Sequence, residues 1–195
     1  MHIVVCTKFT PDSEAKMSVD ESGKVSWGDS PLIINPWDEY SMEEALLLRD
    51  EYGGKVTVIS MGPEEALEAL KHAVAMGADE AVRVWDEACT GSDTLATSYV
   101  LAKTIETIGD VDLILCGKSA IDAETWQTGV ALATRLDVPS LMYTIKIRAV
   151  DGDAGTITVE RLLEQGRQVV EASLPAVVGM KIIGGRGFWI LLAPS

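Results

Sequence analysis

Four short apolar runs, His2–Thr7, Lys55–Ser60, Ala81–Trp85 and Val111–Cys116, alternate with longer stretches of helical periodicity. This alternation constrains the fold more than any other feature of the chain. Runs of that length suit buried strands, and strands that alternate with helices predict βαβ units around a parallel sheet.

The helical stretches carry their own boundaries. Asn35-Pro36 offers an N-cap followed by proline at the first helical position, and Asp38, Glu39, Glu43 and Glu44 favour the positive amino end. Gly53-Gly54 stops that helix. A second helix starts at Gly62-Pro63, spaces Ala66, Leu67, Leu70, Ala73 and Val74 helically, and stops at Gly77. The third runs from about Ser92 to Ile108 with Asp93 near its start, and the fourth starts within Glu124–Gln127 and ends before Asp137-Val138-Pro139.

From Ser140 onward the texture becomes β. Thr144–Val150 and Thr156–Leu163 flank the turn cluster Asp151–Gly155 and read as a hairpin, and Arg167–Ala172 and Ala176–Ile183 form a second pair split by Leu174-Pro175. Thr10–Ile34 reads as a long loop holding a short hairpin, a kind of segment that tends to be functional or to touch a partner. The expected fold is therefore a single α/β domain over residues 1–195. An open, mostly parallel nucleotide-binding sheet carries helices on both faces, with a C-terminal antiparallel β extension over residues 140–183.

A net charge of −14, from 16 basic and 30 acidic residues, disfavours nucleic acid and anionic membrane surfaces. With 195 residues the chain needs no metal or disulfide to fold. Its three cysteines, Cys6, Cys89 and Cys116, are odd in number and share no CxxC spacing, so Cys6 and Cys116 read as small apolar residues at strand ends. No apolar run reaches the ~20 residues of a membrane helix, and none resembles a signal peptide. A cytoplasmic protein is expected.

The chemistry concentrates at Cys116–Gly129, CGKSAIDAETWQTG, where a strand end passes through a polar loop into a helix. Ligands in open α/β sheets bind at such junctions, and the free N–H groups of the helix's first turn favour a phosphate. After the first strand the chain offers Thr7-Lys8-Phe9-Thr10-Pro11-Asp12 without glycine. It also lacks a GxxxxGK[ST] loop and a GxGxxG turn, which argues against an adenylating or ATP-hydrolysing enzyme.

With these elements placed, the chain resembles the beta subunit of electron transfer flavoprotein. The matching pieces are IVVCTKFTPD, INPWDEYSMEEAL, VTVISMGPEEALEALKHAVAMGADEAV, VDLILCGKSAIDAETWQTGVALA and SLPAVV, in family order from Met1 to Val178. The resemblance implies a heterodimer with an alpha subunit that carries a shared FAD, together with a structural AMP buried in the beta subunit. Such a dimer is an electron carrier between dehydrogenases and an acceptor, not an enzyme in itself. The implied nucleotide positions are Cys6, Asn35, Pro36, Trp37, Asp38, Met61, Ser119, Ala120, Ile121, Asp122, Thr125, Gln127, Thr128, Gly129 and Val130, with no metal and no catalytic residue.

Physically, the backbone of Cys6 and Met61 can read an adenine edge, and Asn35 or Asp38 can bond ring or ribose groups. Asp122 can take ribose hydroxyls, while Gln127, Thr128, Gly129 and Val130 face phosphate. Trp37 is expected near the flavin. Each assignment has a plainer counterpart: Asn35 as a simple N-cap, Asp122 and Glu124 as solvated turn acids, Trp37 as packing, and Lys118 as a solvated turn residue. His72 reads as a surface or core residue.

The chain departs from the family pattern twice. Forms that hold a second FAD in place of AMP resemble D-T-x-Q-V-G-P in the nucleotide loop, and AMP forms resemble N-Q-T-G-Q. Here Glu124-Thr125-Trp126-Gln127-Thr128-Gly129-Val130 mixes the two; bulky Trp126 would limit room for a dinucleotide unless its side chain points away, so AMP is the expectation and a second FAD in its place the alternative. At residues 184–195 the family's Asn-Glu-Pro-Arg-like stretch and long arm are replaced by a short ending with an apolar segment, Phe188–Ala193. That ending motivates an alternative, a stand-alone adenine-nucleotide-binding module without the alpha subunit.

Overall fold

The computed structural model describes residues 1–23, 25–28 and 30–181; the reading placed on residues 184–195 lies outside them. In chain order the elements are β1 (His2–Thr7), β2 (Phe9–Pro11), β3 (Ser18–Val19), β4 (Val25–Ser26), β5 (Leu32–Ile34) and α1 (Pro36–Tyr52). Next come β6 (Lys55–Met61), a 3-10 turn leading into α2 (Leu67–Met76), β7 (Glu80–Val84), α3 (Thr94–Ile108), β8 (Leu113–Gly117) and α4 (Thr128–Leu136). The chain continues with β9 (Ser140–Asp151), β10 (Thr156–Leu163), β11 (Gly166–Ser173) and β12 (Ala176–Met180).

One eight-stranded sheet has the order β11-β10-β9-β12-β8-β1-β6-β7. β1 pairs in parallel with β6 and β8, and β6 with β7. Every residue of β1 is buried, as a strand covered on both faces requires. Ile3 and Val5 pack with Met42, Ala45, Leu48 and Leu70 on one face. Val4 and Cys6 pack with Leu101, Ile105 and Leu132 on the other. Full burial of each such side chain contributes about 1.5–3 kcal/mol, so the sheet is held by two cores, with α1 and α2 on one side and α3 and α4 on the other.

The extension is antiparallel where β10 meets β9 and β11. Ala176–Met180, which the sequence groups with Arg167–Ala172, pairs instead in parallel with β8 and β9 and fills the gap between them. Glu160 of β10 is buried, and its two oxygens accept from Arg148 (2.7 Å) and Arg167 (2.8 Å). The two guanidinium groups hold its carboxyl below the usual range.

Thr10–Ile34 contains the expected hairpin, β3 with β4. It also contains a pairing that sequence does not reveal, β2 with β5, which folds the loop's two ends together ahead of α1. The fourth helix starts at Thr128, just after the expected interval, because Glu124 (φ +46°) and Trp126 (φ +61°) hold the left-handed region and cannot propagate a right-handed helix. Among the described residues, no helix is long and apolar enough to cross a membrane.

Candidate functional site

The carboxyl ends of β1, β6 and β8 lie side by side, since Cys6 is the register partner of both Ile59 and Cys116. The amino end of α1 closes onto them. Asn35 occupies the N-cap position of α1, but its side chain makes no capping bond. Asn35 Nδ2 instead donates to the carbonyl of Ser119 (2.8 Å) and Oδ1 accepts the N–H of Ile121 (3.2 Å), while its own N–H donates to the carbonyl of Lys8 (2.8 Å). One buried residue thus ties the end of β1 to the loop after β8.

Asp38 works in parallel. Its Oδ2 accepts the N–H of Lys8 (2.9 Å) and its Oδ1 that of Gly117 (3.1 Å). Burial pushes its carboxyl up to about 7, against those hydrogen bonds, which pull it down. Gly117 permits the approach: a Cβ there would stand 2.5 Å from Asp38 Oδ1 and 2.7 Å from Trp37 Cβ. Asn35 and Asp38 therefore direct their polar atoms at backbone groups of the frame.

Ligand-bonding capacity is found elsewhere. Among the described residues, four buried side-chain oxygens have no hydrogen-bond partner: Thr10 Oγ1, Ser60 Oγ, Ser119 Oγ and Asp122 Oδ1. Ser60 lies near the carboxyl end of β6, Thr10 on β2 just beyond β1, and Ser119 and Asp122 in the loop after β8. Buried polar atoms of this kind are rare without a water or ligand to meet them. The other oxygen of Asp122 pairs with Lys8 Nζ at 2.6 Å, so Asp122 is not a plain solvated turn acid, whereas Glu124 is exposed. Sequence reasoning passed over Lys8, Thr10 and Ser60; a serine directly after the mostly apolar run Val56–Ile59 was the available signal.

Cys6 and Cys116 are buried free thiols. Burial raises both, Cys116 to about 12, which keeps them neutral and unreactive. Met61 ends β6, and Pro36 and Trp37 open α1. Ala120 and Ile121 are partly buried in the loop, and Thr125 is exposed. Gln127, at the N-cap position of α4, accepts from Thr94 Oγ1 through Oε1 (2.9 Å). The first bond of α4 runs from the N–H of Ala131 to the carbonyl of Gln127 (2.9 Å). The N–H groups of Thr128, Gly129 and Val130 ahead of it are the helix's amino-terminal donors.

Lys118 is not a solvated residue. Its ammonium lies 3.8 Å from the ring centroid of Trp37 and 4.5 Å from that of Trp126. Trp126 in turn stacks on Tyr143 at 5.6 Å, and Tyr143 also has a positive φ, +62°. His72 sits half-exposed on α2 and pairs with Glu39 of α1 at 3.0 Å.

An electron transfer flavoprotein domain model matches residues 28–181. The protein FixA of Rhizobium meliloti is 45% identical over 184 residues, covering 92% of this chain and 63% of that protein. The electron transfer flavoprotein subunit beta of Clostridium acetobutylicum is 45% identical over 179 residues, 91% of this chain and 67% of that one. The acryloyl-CoA reductase electron transfer subunit gamma of Anaerotignum propionicum is 38% identical over 180 residues, 91% and 66% respectively. The chain thus spans slightly less than two thirds of the length of its FixA relative.

Proposed function

The chain belongs to the electron transfer flavoprotein family, and from that premise we propose that it is the beta-type subunit of a two-subunit electron carrier. In this reading it holds an AMP across the carboxyl ends of β1, β6 and β8. It also helps an alpha-type subunit to shape an FAD site, passing electrons between dehydrogenases and an acceptor in the cytoplasm. The observation that carries the nucleotide half is the set of four partnerless buried oxygens, on Thr10, Ser60, Ser119 and Asp122, in the segments at or just after the carboxyl ends of β1, β6 and β8. Such atoms suit a ligand rich in ring nitrogens and hydroxyls.

Each element has a role in this reading. Asn35 and Asp38 hold the frame open from behind. The backbone at Cys6 and Met61 meets the adenine edge, Ser119 and Asp122 take the ribose, and the amino end of α4 takes the phosphate. Trp37, at the start of α1, lies toward the flavin. The FAD supplies the redox chemistry when bound; the side chains of this chain bind, orient and exclude water. The carrier half rests on the relatives, two of which are named as electron-transfer subunits.

Mass spectrometry of small molecules released from the purified chain, together with an absorption spectrum of its complex with an alpha-type partner, tests both halves. AMP from the chain and flavin from the complex are expected. A reconstituted two-chain complex without flavin overturns the carrier reading. Chain that releases no nucleotide overturns the AMP reading. AMP from a monomer or homodimer that takes neither partner nor flavin identifies the stand-alone module instead.

A further inference from the structure

We propose that the outer edge of β7, with the groove beside it on α3, is a docking site for an extended acidic segment of a partner protein, which joins the sheet as one more strand. β7 is the last strand of the eight-stranded sheet, and among the described residues it pairs only with β6. Its outward N–H and C=O groups therefore have no ladder partner there, and such a row is a template for a further strand. Sheet edges are commonly guarded by charged side chains, proline or a bulge. β7 reads Glu80-Ala81-Val82-Arg83-Val84, without proline, and keeps an unbroken register with β6. Its two charges turn back across the sheet. Glu80 accepts from Lys55 Nζ (3.1 Å) and Thr57 Oγ1 (2.9 Å), and Arg83 Nη1 donates to the carbonyl of Gly62 (3.3 Å). The edge is left unguarded.

Beside that edge lies a groove. The space between β7 and α3 measures ≈ 420 Å³, within the roughly 300–1,000 Å³ of sites that take a drug-sized ligand. Val82, Val84, Tyr99, Val100 and Ile108 give it an apolar lining, and Tyr99 is half-exposed. Val82 packs on the α3 side of the sheet, and strand alternation puts Val84 on that face and Arg83 on the opposite one. An added strand of the same period seats every second side chain against the apolar lining, the mode by which sheet edges capture peptides. Charge selects the occupant. Acidic residues outnumber basic ones 30 to 16 in the chain, yet the lining carries two cations, Arg83 and Lys103, and no carboxylate. Lys103 pairs with Glu106 one turn along α3, whereas Arg83 meets a carbonyl and not an acid. A second copy of this chain fits poorly. Edge-to-edge pairing about a two-fold axis brings the cations of both copies into one interface, and like charges there oppose association. A segment that alternates apolar residues with aspartate or glutamate fits both features. Its apolar face meets the groove, and its carboxylates meet Arg83 on the other face.

The test is fluorescence anisotropy of the full chain with three labelled peptides. One alternates glutamate with valine, one alternates lysine with valine, and the third is the glutamate–valine peptide N-methylated throughout. The first is expected to bind about tenfold more tightly than the second, with an affinity that falls as salt rises. N-methylation removes the strand-pairing donors without altering charge, and is expected to weaken binding about tenfold or more. Arg83→Glu is expected to weaken the glutamate–valine peptide about tenfold and to strengthen the lysine–valine one. Lys103→Glu, on the exposed side of α3, supplies a second charge reversal if Arg83→Glu does not fold, with circular dichroism as the check on folding. The proposal is overturned if the wild type does not bind the glutamate–valine peptide, or binds it no more tightly than the lysine–valine one. It is overturned as well if N-methylation or the folded charge reversals leave the affinity unchanged. A wild-type dimer that Tyr99→Asp converts to a monomer gives the edge to a second copy, and overturns the acidic partner.

Discussion

The backbone N–H of Gly117 donates to Asp38 Oδ1 at 3.1 Å, and a Cβ on Gly117 would stand 2.5 Å from that same oxygen. The end of β8 and the start of α1 are thus in direct contact, with no room for a methyl group between them. Gly117→Ala must push the two elements apart. Overpacking of this kind costs about 1–3 kcal/mol, read as a lowered midpoint in urea. An unchanged midpoint would show that the contact is loose.

Asp38 also makes stability depend on pH. Its folded-state carboxyl, pushed up to about 7 by burial, binds a proton more tightly than an ordinary carboxyl at 3.8. Between those values the folded state keeps a proton that the unfolded chain has released, so this group's contribution falls as pH rises. Asp38→Asn lacks the titration and also loses one acceptor. The variant is expected to be less stable than the wild type at about pH 5, with the deficit shrinking toward about pH 8. Denaturation curves across that range decide it; a deficit that grows with pH contradicts the assignment.

Asn35→Ala leaves the Ile121 N–H and the Ser119 carbonyl without the partners they have now. Each orphaned group costs about 1–3 kcal/mol. The loss should be local first, with hydrogen exchange at Ile121 accelerating more than at Val5 in the centre of β1. Uniform acceleration would mean that Asn35 supports the whole sheet and not the loop.

Lys118→Met keeps the aliphatic stem and removes the charge between two indoles. A stability loss of about 0.5–2 kcal/mol is expected, together with a change in tryptophan emission. Unaltered fluorescence and stability would place the ammonium in solvent.

His2 titrates with the opposite sense to Asp38. It is buried, its Nε2 lies 2.9 Å from Thr57 Oγ1, and burial, followed by the charge of Lys55, lowers its pKa below 6.5. The unfolded chain therefore gains the proton first as pH falls, and stability present above 6.5 is lost below it. His2→Gln should flatten the acid side of the stability profile relative to the wild type. A variant curve parallel to the wild type from neutral pH down to about 5 would rule this out.

How much of this was legible in the sequence depends on the range of the interaction. β1 and β6 announced themselves because strands covered on both faces must be apolar throughout, and Asp93 announced the start of α3, where its carboxylate does accept the N–H of Ala96 (2.8 Å). The β2–β5 pair did not, because three-residue strands joined across twenty residues leave no periodic trace. The position of β12 was equally hidden, since a strand's composition says nothing about which neighbours it separates. At the site, the residues near Asn35 and Asp38 were found, but their orientation toward backbone groups was not. Which hydroxyls are left without partners is a property of packing alone, so Thr10 and Ser60 emerged only in three dimensions.

The late arrival of β12 has a consequence for biosynthesis. Val177 and Val178, wholly buried between β8 and β9, belong to the last strand of the described chain to leave the ribosome. Until then the edge of β8 stands open, with its backbone groups unpaired and its apolar side chains incompletely covered. Such an edge is a template for pairing with other chains. The nascent protein therefore passes through an interval in which β1, β6 and β8 can assemble but the sheet cannot close. A stalled or prematurely released chain that stops short of Ala176 is a natural client for chaperones.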